Sequence, residues 1–132
     1  QESDRFREHL TFVLSQSHEK EAMEDVIRMA RTDTSERVRG QALFWLAQHA
    51  GRRALDTITA AMEQDPNLEV KKKAVFALGQ MHDAEGVARL IQVAQSHPNR
   101  IVRKEAIFWL GESGDPRALD FLVKLVEGKN QD

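Results

Sequence analysis

The sequence predicts an all-α chain, a right-handed αα-superhelix of four stacked helical hairpins and eight helices. Three observations predict it. Phe12, Phe44, Phe76 and Phe108 recur every 32 residues without a gap, as do Leu14, Leu46, Leu78 and Leu110. In the same register stand four good helix N-caps, Ser3, Ser35, Asn67 and Asn99. A short break and a second amphipathic segment then follow each of these helices. A fixed period of this size is the mark of stacked supersecondary units, each too small to bury its own apolar face.

The leading helix of each hairpin, helix A, begins at its cap, whose side chain accepts hydrogen bonds from the orphan N–H groups of the first turn. Pro66 and Pro98 stand just before two of the caps, where the previous helix must have stopped. Val38, Ala42, Trp45, Leu46 and His49 then fall at helical spacing, and the core positions repeat as Val70, Ala74 and Leu78 and as Val102, Ala106 and Leu110. The first copy has Phe6, Leu10 and Ser15 at signature positions and departs most. A basic residue follows the first apolar one each time: Arg7, Arg39, Lys71 and Arg103. Arg39 is expected to bind loop carbonyls or a carboxylate. The Phe at 44, 76 and 108 lies off the main apolar stripe and is assigned to the seam between hairpins. Trp45 and Trp109 share a register position and are assigned to the core.

The break reads Gly114-Asp115-Pro116 in the fourth hairpin, an N-cap followed by proline at the first helical position. Asp83 and Gly51 occupy the equivalent place earlier. Helix B then carries Met23, Val26 and Ala30; Leu55, Ile58 and Met62; Val87, Leu90 and Ala94; and Leu119, Leu122 and Val126. The whole chain, 1–132, reads as one domain with hairpins near 1–34, 35–66, 67–98 and 99–132.

Composition bounds the function. Hydrophobic residues make up 41% and charged residues 30%, with a net charge of −2, so the dense basic footprint of a dedicated nucleic-acid binder is absent. The sequence has no cysteine, which excludes disulfides, thiolate nucleophiles and cysteine metal sites and leaves both cytoplasm and periplasm open. No apolar run is long enough to span a bilayer. Gln1 in place of an initiator Met predicts a processed or excised piece of a longer chain.

The run Val102-Arg103-Lys104-Glu105-Ala106-Ile107-Phe108-Trp109-Leu110-Gly111, followed by Gly114-Asp115-Pro116-Arg117-Ala118-Leu119, resembles the HEAT-like repeats of the phycobilisome-lyase type, within the armadillo-like helical group. The resemblance covers nearly the whole chain. It implies an α-solenoid and is compatible with many roles.

The candidate site is the outer stripe of helix B. Arg53, Asp56, Thr57, Ala60 and Glu63 lie on one helical face. Their equivalents are Glu21, Glu24, Asp25, Arg28 and Arg31 in the first hairpin. The third has Glu85, Ala88, Arg89, Gln92 and Gln95, and the fourth has Arg117, Asp120, Phe121, Lys124 and Glu127. These positions vary while the apolar ones barely change. Helix B is expected to line the concave side, so Arg53, Asp56, Ala60, Glu85, Arg89, Gln92, Arg117, Asp120, Phe121 and Lys124 are the candidate contacts for an extended or helical protein partner. The bland alternative is a solvated face. Phe121 reads as an exposed apolar side chain, either a binding anchor or a residue facing a further repeat.

Other features weigh less. Lys71-Lys72-Lys73 is read as a solvated face. The stretch from Arg28 to Arg53 holds six arginines against Asp33 and Glu36, which motivates an alternative reading as a nucleic-acid or anionic-ligand binder. His18-Glu19 is similar to the His-Glu pairs of a HEAT-like iron hydroxylase. The helix-A positions where that resemblance implies such pairs hold Gly40-Gln41, Lys72-Lys73 and Lys104-Glu105 instead. His9, His18, His49, His82 and His97 share no register beyond the near-match of His49 and His82. No nucleophile elbow or phosphate loop is present. The expectation is therefore a scaffolding or protein-interaction module with no catalytic residues, metal or cofactor; a bilin-lyase or hydroxylase activity stands last. Helices without a polar outer cap at the termini add an expectation of self-association.

Overall fold

The computed structural model describes Arg5 and residues 7–9, 20–49, 51–81 and 84–131. Ser3, Phe6, Leu10, Phe12, Leu14, Ser15, His18, Glu19, His82 and Asp83 lie outside the described residues. Arg5 and residues 7–9 are helical and belong to the first helix A. Seven further helices follow: α1 (Lys20–Thr32), α2 (Glu36–His49), α3 (Arg52–Gln64), α4 (Leu68–Gln80), α5 (Ala84–Ser96), α6 (Arg100–Glu112) and α7 (Pro116–Gln131). The fold is the all-α solenoid of stacked hairpins that the period predicts. Helices α2, α4 and α6 are the A helices, and α1, α3, α5 and α7 are the B helices.

The caps act as the sequence predicts. Asn67 accepts a hydrogen bond from the Val70 N–H at 3.1 Å. Asn99 accepts from Ile101 and Val102 at 2.8 and 3.3 Å. Ser35 accepts from Val38 at 3.3 Å. Asp115 caps α7 by accepting from the Arg117 N–H at 2.8 Å, with Pro116 first in the helix. Gly51 stands at the cap position of α3 with φ +112°, and lacks a side chain to cap with. That conformation is one a side-chain-bearing residue adopts only with strain, so glycine supplies the turn and gives up the cap.

Packing follows the period. Val38, Val70 and Val102, then Ala42, Ala74 and Ala106, then Leu46, Leu78 and Leu110 are all 0–1% exposed. Alanine in the middle row lets the A helices approach one another, and α4 packs directly on both α2 and α6. Each B helix packs most closely on the next hairpin's A helix: α1 on α2, α3 on α4, α5 on α6. Val26, Ile58 and Leu90 are the buried B-helix knobs at those junctions. Where a B helix turns back on its own A helix, the chain needs a small residue. Ala54, Gly86 and Ala118 fill that place, and a Cβ at Gly86 would sit 3.2 Å from the Met81 carbonyl.

The aromatic seam is real but partly wet. Phe44 and Phe76 stack with centroids 6.4 Å apart, and Phe76 meets Trp109 edge-on at 4.9 Å. Trp45 and Trp109, assigned to the core from the sequence, are only half-buried and belong to this seam. A tryptophan is too large for the alanine-width space between A helices, so it lies along their edge.

A polar spine joins the hairpins on the loop side. The Arg39 guanidinium donates to the Asp33 carbonyl at 2.7 Å and to both carboxylate oxygens of Asp65, at 2.8 and 3.2 Å. It thus ties the loop before its own helix to the loop after the next one. Arg7 and Asp33 make the equivalent pair one hairpin earlier, at 3.4 Å. Arg103 donates to the carbonyl of His97 at 2.6 Å. At Arg7, Arg39 and Arg103 the recurrent basic position is therefore structural, as the sequence suggested for Arg39.

Candidate functional site

The B-helix stripe is set by the same register, and the structure sorts its members. Arg53, Asp56, Gln92, Arg117, Asp120 and Lys124 are exposed, whereas Ala60, Glu85, Arg89 and Phe121 are half-buried. Phe121 is a correction: it packs against the core instead of standing free. The reason lies in its register. Thr57 and Arg89 occupy the same position, and they too turn inward, Thr57 at 5% exposed and the Arg89 side chain at 21%. The outer stripe is one position narrower than the sequence spacing indicated.

Many of the stripe's charges pair with each other across hairpins. Arg53 of α3 bonds Glu24 of α1. Arg89 of α5 donates to Asp56 of α3 at 3.0 Å and to the Thr59 hydroxyl at 2.8 Å, and lies 3.5 Å from Glu85. Arg52 reaches Glu85 at 3.3 Å. At the last junction Ala88 stands where Glu24 and Asp56 stand earlier, so Arg117 turns to its own cap, Asp115, at 2.8 Å. That guanidinium holds the Asp115 carboxyl below the usual range, chiefly through the side-chain hydrogen bond and then through the Arg117 backbone N–H. The same bond raises Arg117. Lys124 pairs with Asp120 one turn away, at 3.1 Å.

The arginine-rich stretch is largely neutralised in the same way. Arg28 pairs with Asp25, Arg37 with Glu8, Arg39 with Asp65, Arg52 with Glu85 and Arg53 with Glu24. Five of its six arginines thus face carboxylates, which weakens the field that phosphate binding needs. Among the described residues no group of three or more His, Asp or Glu is placed to hold a metal ion. Lys72 lies 3.8 Å from both Glu69 and Glu105, as a solvated face would have it.

Two clefts open on this surface, at the C-terminal ends of successive B helices. One, of 310 Å³, lies between α1 and α3 and is lined by Ala30, Thr32, Ala60, Ala61, Gln64 and Asp65 among others. The second, of 610 Å³, lies between α3 and α5 and is lined by Met62, Gln64, Gln92, Val93, Ser96 and His97 among others. Each residue of the second set is 32 positions after its counterpart in the first. The clefts are copies of one feature. Both arise because each B helix leans on the next A helix rather than on the next B helix, which leaves a gap between B-helix ends.

His97 was not singled out from the sequence. It is 5% exposed and forms a wall of the larger cleft. Its Nδ1 accepts the Asn99 N–H at 3.0 Å, so the ring proton sits on Nε2, which donates to the Met62 carbonyl at 3.0 Å. The register could have found it. His97 stands where Asp33 and Asp65 stand, and those carboxylates accept the N–H two residues on in the same way, at 2.9 and 3.0 Å.

Stacked A/B hairpins, an A-layer of Val, Ala and Leu and an Arg–Asp spine define a helical-repeat protein of the two-helix class. Comparison with protein families agrees: the HEAT repeats model matches residues 23–96 and again 55–132. The chain belongs to the HEAT repeat family. Comparison with curated proteins finds no match. Among solved structures the chain is similar to human deoxyhypusine hydroxylase in complex with glycerol, at 29% identity and a TM-score of 0.68. That match covers 86% of this chain and 38% of the hydroxylase chain. No helix among the described residues is long and apolar enough to cross a membrane.

Proposed function

We propose that this chain is a non-catalytic protein-interaction module. Its partner is an extended or helical polypeptide laid across the B helices, with side chains seated in the clefts between them. The carrying observation is the pair of clefts in one 32-residue register. An extended polypeptide presents side chains at regular intervals, and repeated clefts are the surface feature that reads such a ligand. The lining includes side chains able to bond peptide backbone, Gln64 and Gln92, with the Ser96 hydroxyl, which donates to the Gln92 carbonyl, left as an acceptor.

The structure also dictates how to test it. Arg89 bonds three neighbours, so reversing its charge would disturb helix packing as well as any ligand. Gln92, which is exposed, and Ala60, which is half-buried, are safer places to intervene. Peptides selected from a displayed library on the full chain should lose binding at least tenfold when Gln92→Trp or Ala60→Trp fills a cleft. Retained affinity in both variants, with unchanged circular dichroism, would overturn the cleft reading.

The likeness to a hydroxylase gives a catalytic reading its only support. Against it, the helix-A positions 8–9, 40–41, 72–73 and 104–105 hold Glu-His, Gly-Gln, Lys-Lys and Lys-Glu, so a single imidazole stands in the whole register, and Glu105 faces Lys72. Iron bound stoichiometrically by the purified chain would reinstate that reading.

A further inference from the structure

Every exposed large apolar side chain among the described residues lies in the last hairpin. Ile101, Phe108, Leu119, Val123 and Val126 are 46, 56, 64, 46 and 58% exposed. Ile101 and Phe108 are two turns apart on α6, and Leu119, Val123 and Val126 share one face of α7. Phe108, Leu119, Val123 and Val126 present roughly 400 Å² of apolar side chain, within the range of the largest patch on a typical monomer, whereas Ile101 stands apart because its equivalents Arg37 and Glu69 are exposed at the internal hairpins.

The register says what such a face takes. Leu119 is equivalent to Leu55 and Val87, which are 3 and 9% exposed. Val126 is equivalent to Met62 and Ala94, at 0 and 6%. Those residues are buried because α4 and α6, the A helices of the following hairpins, pack on α3 and α5. Phe108 is equivalent to Phe76, whose outer side meets Trp109 of the next hairpin. The last face is therefore the continuation of an interface the molecule has already built at the preceding junctions. The helices that fill it there carry Val70, Ala74 and Leu78, or Val102, Ala106 and Leu110, at successive turns, with an aromatic beside the leucine.

We propose that the α6–α7 face is a docking surface for the leading helix of another HEAT-type hairpin. The occupant presents a β-branched residue, alanine and leucine four residues apart, and an aromatic that closes over Phe108. This surface is separate from the B-helix clefts, and its test does not depend on them.

The probe is the full chain extended in register by a copy of its own residues 67–98, joined after position 130, and compared with the natural chain. Amide exchange in α7 should slow by about 100-fold on extension, as a helix with one open apolar face becomes covered on both sides. Leu119→Glu, and independently Val126→Glu, should abolish that slowing in the extended chain. Both should leave the natural chain's folding midpoint nearly unchanged, because the side chains are exposed there. Unchanged exchange in α7 after extension would overturn the proposal. So would a natural-chain dimer, seen by sedimentation and dissolved by Leu119→Glu, since the occupant would then be a second copy rather than a stacked hairpin.

Discussion

Replacing Asp65 with alanine tests the polar spine most directly. The Asp65 carboxylate receives two N–H groups of Arg39 and the N–H of Asn67, the cap of α4. The side chains of Arg39 and Asp65 are 12 and 5% exposed, so water replaces little of what is lost. Each orphaned buried donor costs about 1–3 kcal/mol, and removing one partner of a buried ion pair about 3–5 kcal/mol. Arg39 keeps its bond to the Asp33 carbonyl and a thin rim of solvent, which points to the lower end. The expected loss is about 3 kcal/mol, or roughly 10 °C in the unfolding midpoint of a chain this size. Asp65→Asn, which can still accept the Asn67 N–H, should lose about half as much. A double-mutant cycle with Arg39→Met should give a coupling of about 2 kcal/mol, because the orphaned guanidinium is gone in the double variant. Urea titrations followed by circular dichroism and tryptophan fluorescence measure all five chains. An Asp65→Ala loss below about 1 kcal/mol, or strictly additive single variants, would refute the claim that this pair joins the hairpins.

Leu90→Ala should cost about 2–5 kcal/mol, because Leu90 is 1% exposed at the junction of α5 and α6, while Leu119→Ala on the open face should cost under about 0.5 kcal/mol by the same titration. His97→Ala should lose about 2 kcal/mol by orphaning the Met62 carbonyl and the Asn99 N–H, and His97→Asn should recover part of it by accepting that N–H; equal losses in the two variants would count against the hydrogen-bond account. Asp115→Ala should speed amide exchange in the first turn of α7 and lower the midpoint at neutral pH. Because the Asp115 carboxyl is depressed in the folded chain, its contribution is complete above the unfolded carboxylate value of about 3.9 and fades as pH falls through the lower folded value. The natural chain and Asp115→Ala should therefore converge in acid, and a gap that stays constant down to pH 2 would refute the cause assigned.

Much of the fold was legible because repetition amplifies a weak signal. One amphipathic helix is ambiguous, but Val, Ala and Leu returning at 38, 42 and 46, at 70, 74 and 78, and at 102, 106 and 110 identify a buried layer. The caps Ser35, Asn67, Asn99 and Asp115 were equally plain, since capping is a local hydrogen bond between near neighbours in sequence. The stripe was legible only in outline. Phe121 was misplaced because its half-burial depends on packing against the core, which helical spacing alone does not reveal. His97 was named among the histidines but given no role, because a buried histidine is recognised by its partners, and one of them, the Met62 carbonyl, is 35 residues distant.

The sequence by itself determined the all-α class, the hairpin period, the helix ends and the apolar layer. These follow from interactions within a few residues of one another, copied along the chain. Only the tertiary structure decided which charges remain available, where the clefts open and which apolar side chains stay uncovered. Those depend on how each B helix leans on the next A helix. That tilt pairs Arg53 with Glu24 and Arg89 with Asp56, opens the gaps lined by Ala60 and Gln92, and leaves Leu119 and Val126 facing solvent.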